Sequence, residues 1–483
     1  MELYNHQKEG IEFLKARDSA MLLDEMGLGK TRQALLAAHQ LFVHGDIQSV
    51  LVLCPAAVRY SWGEELIKLI AEGITFIVGG YSADKERLSQ VPDLALPGGL
   101  PVAIVSYALL PQDRHVLALS RWCVNRKTLL ICDESSFLKN REAKQTKGAW
   151  AIGLTCVRRW LLTGTPIANG PIDMWSQGFV MSGGAKGPLQ GFKNYYHFKY
   201  KYATLGGYKN KQIVAYHDLE NLQERFAPYV LRREKKDCLD LPPKVYEVRQ
   251  VPLTTDTWKI YQELKRDALL VLPPDGHVKP EPHAAVRIMR LAQLTSGHVG
   301  GLVGEDIDSL NETQDISAEK LTWLTNDIIT GELSSERALI VWVRWRRERE
   351  RLAHALAQRH VAVPELHGGQ SQERRDGAIS FFQTTTERVV LLAQPHAGGF
   401  GLNLTQASVA IYLSNDFSYT TRVQSEDRCH RIGQTRSVTY IDVLATGPQG
   451  QKTIDWYTLD CLRKKKNIAD LTCAAWRDIL EFN

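Results

Sequence analysis

Residues 24–31 read DEMGLGKT, at the junction between an apolar run, residues 20–24, and an amphipathic stretch, residues 30–41. The first pattern predicts a strand and the second predicts a helix, so the two glycines form the turn between them. Backbone N–H groups in such a turn point at phosphate oxygens, and the helix that follows places its positive end there. The segment therefore predicts a phosphate-binding loop on an α/β sheet.

The side chains of this loop suggest how a nucleotide would be held. Lys30 would reach the outer phosphates, and the Thr31 hydroxyl would hold Mg²⁺. The strict phosphate-loop pattern has a glycine five residues before Gly29, where this chain has Asp24. The alternative is a strand–turn–helix whose glycines serve only tight packing. On the first interpretation, the nucleotide-binding residues are Gly27, Leu28, Gly29, Lys30 and Thr31.

Short apolar runs alternate with amphipathic stretches in two parts of the chain, which predicts two parallel-sheet α/β units. Strands of the first are expected at residues 20–24, 49–54, 75–78, 102–106, 128–132 and 159–163, with helices at 30–41 and 62–71. Strands of the second are expected at residues 338–343, 361–365, 389–393, 409–412 and 438–443.

Paired prolines in the segment Leu241-Pro242-Pro243-Lys244 break helices and stiffen the chain, which predicts a domain boundary there. We expect a first domain at 1–240 with a helical insertion at about 175–230. The second, at 241–483, is expected to carry a helical insertion at about 255–330 and a C-terminal helix at about 452–482.

Asp133 and Glu134 follow the apolar strand at residues 128–132. Adjacent carboxylates at the end of a strand can divide two tasks in phosphoryl transfer. Asp133 would hold Mg²⁺, and Glu134 would orient and deprotonate the attacking water. Taken alone, an acidic pair after a strand is a solvated loop, and the phosphate loop upstream favours the functional interpretation.

Arg428 and Arg431 stand three positions apart, so on a helix they would share one face. A guanidinium placed against the outer phosphate stabilises the charge that develops in phosphoryl transfer. The alternative is a surface helix whose arginines pair with Glu426 and Asp427. The presence of Lys30 favours the catalytic interpretation.

Composition sets broader limits. A chain of 483 residues exceeds the usual size of one hydrophobic core, which predicts two or three domains. The net charge of +5 is compatible with an anionic partner but equally with a solvated basic surface. The eight cysteines form no CxxC pair, which indicates free thiols in a reducing compartment. Because no basic leader or membrane-length apolar run occurs, we expect a cytoplasmic protein.

Read together, these segments resemble the Swi/Snf-type ATPases of helicase superfamily two, which are ATP-driven translocases on double-stranded DNA. The segments that carry the resemblance are, in chain order, residues 4–10, 24–31, 51–55 with Trp62, 104–107, 133–140, 162–167, 230–244, 367–369, 397–405 and 424–434. The resemblance implies two tandem RecA-like lobes with helical insertions, Mg²⁺ as cofactor, and ATP hydrolysis driven by an arginine finger.

The resemblance also implies roles for individual residues. Gln7 would read adenine, and Gly401 would face the nucleotide. Residues expected to contact DNA or to couple hydrolysis to movement are Ser106, Thr163, Thr165, His367, Gly368, Asn403 and Thr405. The implied partner is duplex or branched DNA, bound by a monomer that a further protein could recruit.

This sequence departs from the family pattern in three places. Ser136 stands where the family usually has histidine, so the coupling of hydrolysis to movement could differ, with a shorter side chain reaching toward Thr163. The stretch at residues 417–419 reads FSY where the family often has Trp-Asn-Pro. The sequence ends soon after the second lobe, which suggests a bare motor of bacterial or phage type.

The roles of two basic stretches stay open, and two other functions remain as alternatives. The arginine-rich residues 344–351 are expected either to contact phosphate or to pair with Glu348 and Glu350. The tyrosine-rich residues 195–202 are expected either in the core or stacked on bases. A strand-separating helicase acting on DNA or RNA, and a DNA-binding clamp that hydrolyses little ATP, are the alternatives to a duplex translocase.

Overall fold

The computed structural model describes residues 3–79, 99–164, 170–206, 212–270, 282–300, 313–396 and 402–464. The chain divides into two compact units, Met1–Asp240 and Leu241–Asn483. The division falls directly before the paired prolines, Pro242 and Pro243.

The first unit is built on a parallel sheet. Its strands are β1 Ser19–Leu22, β2 Ser49–Cys54, β3 Phe76–Gly79, β4 Leu100–Ser106, β5 Thr128–Asp133, β6 Arg158–Leu162, β7 Ala203–Gly206, β8 Gln212–Tyr216 and β9 Val230–Leu231. Seven of them form the sheet in the order β3-β4-β2-β5-β6-β1-β9, with parallel pairing throughout. β2, β4 and β5 are buried along their whole length, as expected for strands covered on both faces.

Helices cover this sheet and form the insertion after it. They are α1 Asn5–Lys15, α2 Lys30–Val43, α3 Arg59–Ala71, α4 Asp113–Val124, α5 Lys144–Gly153, α6 Met174–Ser182, α7 Tyr195–Tyr202, α8 Leu219–Phe226 and α9 Lys235–Cys238. The order of strands places the carboxyl ends of β5, β6 and β1 side by side, so the segments after them meet at one edge of the sheet.

The sequence had suggested a helical insertion at about 175–230, but the structure shows that this insertion is only partly helical. It contains α6, α7 and α8, but β7 and β8 form an antiparallel pair between them. β8 reads QIVAY, and its β-branched and aromatic residues favour a strand over a helix. The strands are four and five residues long, too short for their alternation to stand out in the sequence.

The second unit contains a separate parallel sheet. Its strands are β10 Lys244–Pro252, β11 His298–Val299, β12 Gln314–Asp315, β13 Ala338–Trp342, β14 Glu365–Leu366, β15 Val389–Ala393, β16 Val409–Tyr412 and β17 Val438–Thr446. The main sheet has the order β10-β17-β16-β13-β15-β14 and is parallel throughout. β11 and β12 pair antiparallel within the insertion.

Two strands of this sheet differ from expectation. The strand expected at residues 361–365 is reduced to Glu365–Leu366, with one isolated bridge from Ala362 to Val389. Pro364 lies between them and has no N–H to donate, which interrupts the ladder. β10 was not predicted because most of it is partly exposed and shows no apolar run.

The helices of this unit are α10 Thr255–Leu270, α11 Pro282–Thr295, α12 Glu319–Thr322, α13 Arg346–Ala357, α14 Gln372–Thr384, α15 Tyr419–Glu426 and α16 Ile454–Arg463. α12 continues as a π-helix over Trp323–Glu332. The C-terminal helix expected at about 452–482 begins at Ile454 and ends at Arg463, with Lys464 as its C-cap, and residues 465–483 lie outside the described residues.

Each unit has its own apolar core, and buried tryptophans such as Trp122 and Trp342 lie in them. The seven cysteines in the described residues are free thiols, and Cys473 lies outside that part of the chain. Among the helices that the structure describes, none is both long and apolar enough to cross a membrane.

Candidate nucleotide site and its partner segments

The phosphate loop lies between β1 and α2. Gly27 and Gly29 have φ values of 88° and 78°, in the left-handed region that favours glycine. The ammonium of Lys30 donates to the backbone carbonyls of Asp24, at 2.7 Å, and Glu25, at 3.3 Å. The cation is thereby held over the loop, at the N-terminus of α2, where phosphate oxygens would bind.

The start of α1 packs directly on this loop. A Cβ at residue 29 would lie 2.5 Å from the side-chain nitrogen of Gln7, so Gly29 is also required by space. The Gln7 side-chain oxygen, Oε1, accepts a hydrogen bond from the Tyr4 N–H at 3.2 Å. His6 Nε2 lies 3.0 Å from the Leu28 carbonyl, and burial lowers the pKa of His6. The structure thus brings Gln7 to the loop.

Asp24, which replaces a glycine of the strict loop pattern, is fully buried and has a partner that the sequence did not reveal. Arg233 donates to its two carboxylate oxygens at 2.6 and 3.0 Å, forming a bidentate pair. The Gln33 amide donates to the same carboxylate at 3.2 Å and to the Leu28 carbonyl at 3.0 Å. Arg233 also donates to the His6 carbonyl and to Gln33 Oε1. This network fixes the loop against α1 and α2.

Asp133 ends β5 and is held by hydrogen bonds on both carboxylate oxygens. The Trp62 indole N–H donates to Oδ2 at 2.7 Å, and the Glu134 backbone N–H donates to Oδ1 at 2.9 Å. The Tyr107 hydroxyl donates to the Asp133 carbonyl at 2.9 Å. Burial raises the pKa of Asp133, while the Trp62 hydrogen bond and the nearby Lys30 oppose that shift. A cation close to this carboxylate would therefore be strongly favoured.

Glu134 has a φ of 47°, a left-handed conformation that costs a non-glycine residue about 1 kcal/mol. Its carboxylate accepts a hydrogen bond from the Thr163 hydroxyl at 3.3 Å, and Thr163 follows β6. Glu134 thus contacts Thr163, the residue toward which Ser136 was expected to reach. Backbone strain at this position indicates a functional constraint on where the carboxylate lies.

Ser106, which was assigned to coupling, and Ser135, which follows the acidic pair, have local structural roles. Ser106 caps the turn after β4, where its hydroxyl accepts from the Ala108 N–H at 3.2 Å. Ser135 donates to the Gln177 side chain at 2.7 Å, which ties the end of β5 to α6. Thr165 lies outside the described residues.

Arg428 and Arg431 do not lie on a helix, contrary to the expectation from their spacing. α15 ends at Glu426, and the chain then turns. The Gln434 amide donates to the carbonyls of Thr405, Ala407 and Cys429, which holds the turning segment against residues 402–407 instead of allowing another helical turn.

The two arginines are nevertheless brought to the glycine-rich segment. Arg431 donates to the Leu402 carbonyl at 2.8 Å, and the Leu404 N–H donates to the Arg428 carbonyl at 3.0 Å. Asn403 accepts from both the backbone N–H and the hydroxyl of Thr405, at 3.2 and 2.9 Å. The structure thus joins two motifs that lie apart in the sequence. Gly401 lies outside the described residues.

The acidic residues beside the arginines have other partners. Glu426 accepts from Arg422 at 2.8 Å and from Lys244 at 3.2 Å, and Asp427 lies 3.4 Å from Lys244. Arg422 is buried, pairs with Asp442 at 2.5 Å, and covers the Tyr412 ring at 3.5 Å. These charges hold α15 and the segment after it to the sheet.

His367 and Gly368 follow β14. The His367 N–H donates to Gln370 Oε1 at 3.1 Å, and a Cβ at residue 368 would meet open space. Burial lowers the pKa of His367, and nearby Arg349 acts in the same direction. The open space at Gly368 is compatible with a close approach of phosphate.

Much of the charge in the arginine-rich stretch is paired. Arg346 pairs with Glu350 at 3.0 Å, as its spacing predicted, and Arg347 pairs with Asp315 at 2.6 Å. Arg349 pairs with Glu365 at 3.0 Å. These pairs favour the structural interpretation of the stretch over contact with phosphate. Across the described ranges, no cluster of three or more His, Cys, Asp or Glu residues offers a metal site made of protein ligands alone.

Models of two known domain families match this chain. A model of the SNF2-related domain matches residues 6–296, and a model of the helicase conserved C-terminal domain matches residues 319–433. An uncharacterized ATP-dependent helicase of Mycoplasma genitalium is 27% identical over 454 residues, and one of Mycoplasma pneumoniae is 28% identical over 452. Each match covers 92% of this chain but only 40% of the relative.

Among solved structures, the SWI2/SNF2 ATPase core of Sulfolobus solfataricus in complex with dsDNA aligns with a TM-score of 0.42 and 24% identity. That alignment covers 100% of this chain and 95% of the other.

Proposed function

This chain belongs to the SNF2-related domain family, and from that premise we propose that it is a DNA-dependent ATPase. It hydrolyses ATP to translocate on double-stranded DNA and to remodel DNA or DNA–protein structures. The observation that carries the proposal is that Lys30, Asp133 and Glu134 lie at one edge of the first sheet, after the carboxyl ends of β1 and β5. Thr163, which follows the intervening strand β6, donates to Glu134. Ligands of parallel α/β sheets bind at this edge.

In the first unit we assign the nucleotide to the phosphate loop. The backbone N–H groups of Gly27, Leu28 and Gly29 cradle the phosphates, and Lys30 neutralises them. Gln7, whose amide lies against Gly29, reads the adenine.

Mg²⁺ fits the residues present. A hydroxyl from Thr31 and a carboxylate from Asp133 are the hard oxygen donors that this ion takes, and nucleotide phosphates and water complete its shell. Asp133 is buried beside Lys30, with each oxygen accepting one hydrogen bond and retaining capacity for a cation. The ion would neutralise charge on the transferred phosphoryl group. Glu134 orients and deprotonates the attacking water.

Arg428 and Arg431 supply the arginine finger, and Gly401 belongs to the same nucleotide-facing segment. Such guanidinium groups contribute about 10³–10⁵ in rate when they stabilise the outer phosphate. The hydrogen bond from Arg431 to the Leu402 carbonyl supports an assignment of the finger and the glycine-rich motif to one site.

We assign DNA contact and coupling to Ser106, Thr163, Thr165, His367, Gly368, Asn403 and Thr405. The hydrogen bond from Thr163 to Glu134 supports this coupling, because any shift of Thr163 changes the position of the general base. We further propose that the chain acts as a monomer on duplex or branched DNA, in the cytoplasm of a bacterium or of a phage-infected host cell.

Steady-state ATP hydrolysis tests the proposal, measured without nucleic acid and with linear duplex DNA, branched DNA, single-stranded DNA or RNA. Duplex should stimulate strongly, and Lys30→Ala should abolish turnover. Glu134→Gln should bind ATP with near-normal affinity yet fail to hydrolyse it. Stimulation by single strands alone would replace the translocase with a strand-separating helicase. A rate that no polynucleotide raises would instead support the clamp.

A further inference from the structure

Helix α7 in the first unit presents two aromatic faces. Phe198 and Tyr202 are fully buried, and they pack with Trp175 and Phe192. The tyrosine-rich stretch is therefore partly core. On the exposed side of the helix, Tyr196 and Tyr200 are 55% and 63% exposed. These positions are four residues apart and lie on one helical face, with about 6 Å between them along the axis.

A cation contacts one of the exposed rings, and two more lie near it in the sequence. The Arg141 guanidinium lies 4.3 Å from the Tyr195 ring centre and 5.0 Å from that of Tyr196, and it donates to the Tyr196 hydroxyl at 3.2 Å. Lys199 lies on the same helix, and Lys193 lies just before the N-cap residue of that helix, Asn194. We call Tyr196, Tyr200, Lys193, Lys199 and Arg141 the tyrosine face.

The carboxylates near this face leave it with a positive balance. Glu142 pairs with Arg141 at 2.6 Å and with Lys147 at 3.2 Å. Lys201 pairs with Asp218, so its charge is already partnered. Within the described part of the chain, Lys193 and Lys199 form no ion pair, so both charges are available to an anionic ligand.

We propose that the tyrosine face is a binding site for single-stranded DNA, an inference that rests on the proposed function and names a second element of its substrate. Single exposed aromatics are ordinary on protein surfaces. Two exposed rings lie one helical turn apart, and a guanidinium contacts one of them. Together with the lysines at residues 193 and 199, which form no ion pair in the described part of the chain, they combine stacking surfaces with charge for a phosphate backbone.

Single strands fit this face better than duplex does. Bases in a duplex are stacked and paired, so they offer no free ring face to a protein side chain. Unpaired bases can stack on Tyr196 and Tyr200 in succession while the lysines contact the backbone. The substrate that follows is DNA with both a duplex segment for the motor and an unpaired strand, as at a branch or fork.

Fluorescence anisotropy of a labelled thymidine oligonucleotide of about 12 nucleotides tests the site with the full chain. The double variant Tyr196→Ala/Tyr200→Ala should weaken binding about 30-fold or more, since each stacked base contributes severalfold in affinity. Tyr196→Phe/Tyr200→Phe keeps both rings and should bind within about threefold of the unmodified chain. Leu117→Ala, an equally exposed apolar position on α4, serves as the surface control.

A second variant tests the charge. Lys193→Gln/Lys199→Gln should reduce the slope of log Kd against log salt by about 1.4, since each single-strand phosphate contact contributes about 0.7. An unchanged slope, or equal oligonucleotide affinity in the alanine and phenylalanine variants, would overturn the site and leave a protein partner as the occupant of this face.

The same variants separate this inference from the proposed function. Duplex-stimulated ATP hydrolysis should be unchanged in Tyr196→Ala/Tyr200→Ala, because neither side chain belongs to the nucleotide site. Loss of oligonucleotide binding with intact duplex stimulation supports the tyrosine face. An unmodified chain that duplex does not stimulate would refute the proposed function, whereas intact duplex stimulation together with unaltered oligonucleotide binding would refute only the inference.

Discussion

Replacing Arg233 with glutamine should reveal how much the phosphate loop depends on a distant residue. Asp24 is fully buried, and Arg233, whose side chain is 11% exposed, makes a bidentate contact with it. Without the guanidinium, the buried carboxylate keeps only the Gln33 amide at 3.2 Å. Breaking a buried pair by removing one partner costs about 3–5 kcal/mol, because an uncompensated charge is left behind. We expect that loss in the free energy of unfolding of the first unit.

Urea titration followed by tryptophan fluorescence measures the effect, and ATP affinity reports on the loop itself. Arg232→Gln is the matched control, because its side chain is 70% exposed and its nearest carboxylate, on Glu234, lies at 3.7 Å. A surface pair of this kind contributes about 0–1 kcal/mol. The Asp24→Asn/Arg233→Gln variant removes both charges and should be less destabilised than the sum of the two single changes, by about 2 kcal/mol or more.

Equal stabilities of Arg233→Gln and Arg232→Gln would refute this reasoning. So would strict additivity in the double variant, since it would mean that the two buried groups do not depend on each other. ATP affinity should fall in Arg233→Gln and stay unchanged in Arg232→Gln, because only the first change releases the carboxylate beneath the loop.

Three further changes test other parts of the site. Arg431→Ala should lower kcat by about 10³ or more while ATP Kd changes little, and Arg431→Lys should not restore the rate; a pure binding defect would contradict the finger assignment. Trp62→Phe removes the hydrogen bond to Asp133, so the pKa of Asp133 should rise further and the acidic limb of the ATPase pH profile should move to higher pH, whereas Trp122→Phe should leave that limb in place. Burial raises the pKa of Glu348 to about 7, although Lys320 and the Ser414 hydroxyl oppose the shift and Asp455 adds to it. The folded chain then holds a proton that the unfolded chain releases, so stability should fall as pH rises from about 4.5 to 7, by about 3 kcal/mol at 1.36 kcal/mol per unit. Glu348→Gln should remove that slope in unfolding experiments, and a slope that persists would exclude Glu348 as its source.

The parts of this molecule that the sequence predicts are those specified by neighbouring residues. The strand, turn and helix around Lys30 are continuous in the chain, and so are β5 and the carboxylates that follow it. Alternating apolar and amphipathic segments suffice to predict them. β10 and the hairpin of β7 and β8 were missed because half-exposed, short strands carry little periodic signal.

The contacts that the sequence could not reveal are those between distant positions. Arg233 lies 209 positions from Asp24, and the indole of Trp62 lies 71 positions from Asp133. No local pattern distinguishes these side chains from other arginines and tryptophans. The exposed pair on α7 is a different case. Tyr196 and Tyr200 are four residues apart, and so are Phe198 and Tyr202. Residues four apart share a helical face, so helical periodicity could have divided the stretch into a core face and a surface face.

The pairing of Asp24 with Arg233 also explains why the loop tolerates an acidic residue where the strict pattern has glycine. The Leu23 N–H donates to the Leu231 carbonyl at 2.7 Å, and the Glu25 N–H donates to the Arg233 carbonyl at 3.0 Å. The Lys235 N–H in turn donates to the Glu25 carboxylate at 2.7 Å.

The loop and residues 231–235 are therefore one hydrogen-bonded structure, and that segment runs on through α9 to the end of the first unit at Asp240. A glycine at residue 24 would allow a freer loop but would leave Arg233 without its buried partner. Because Asp24 and the backbone bonds link them, we expect a change in the phosphate loop on nucleotide binding to reach the segment that runs to the end of the unit.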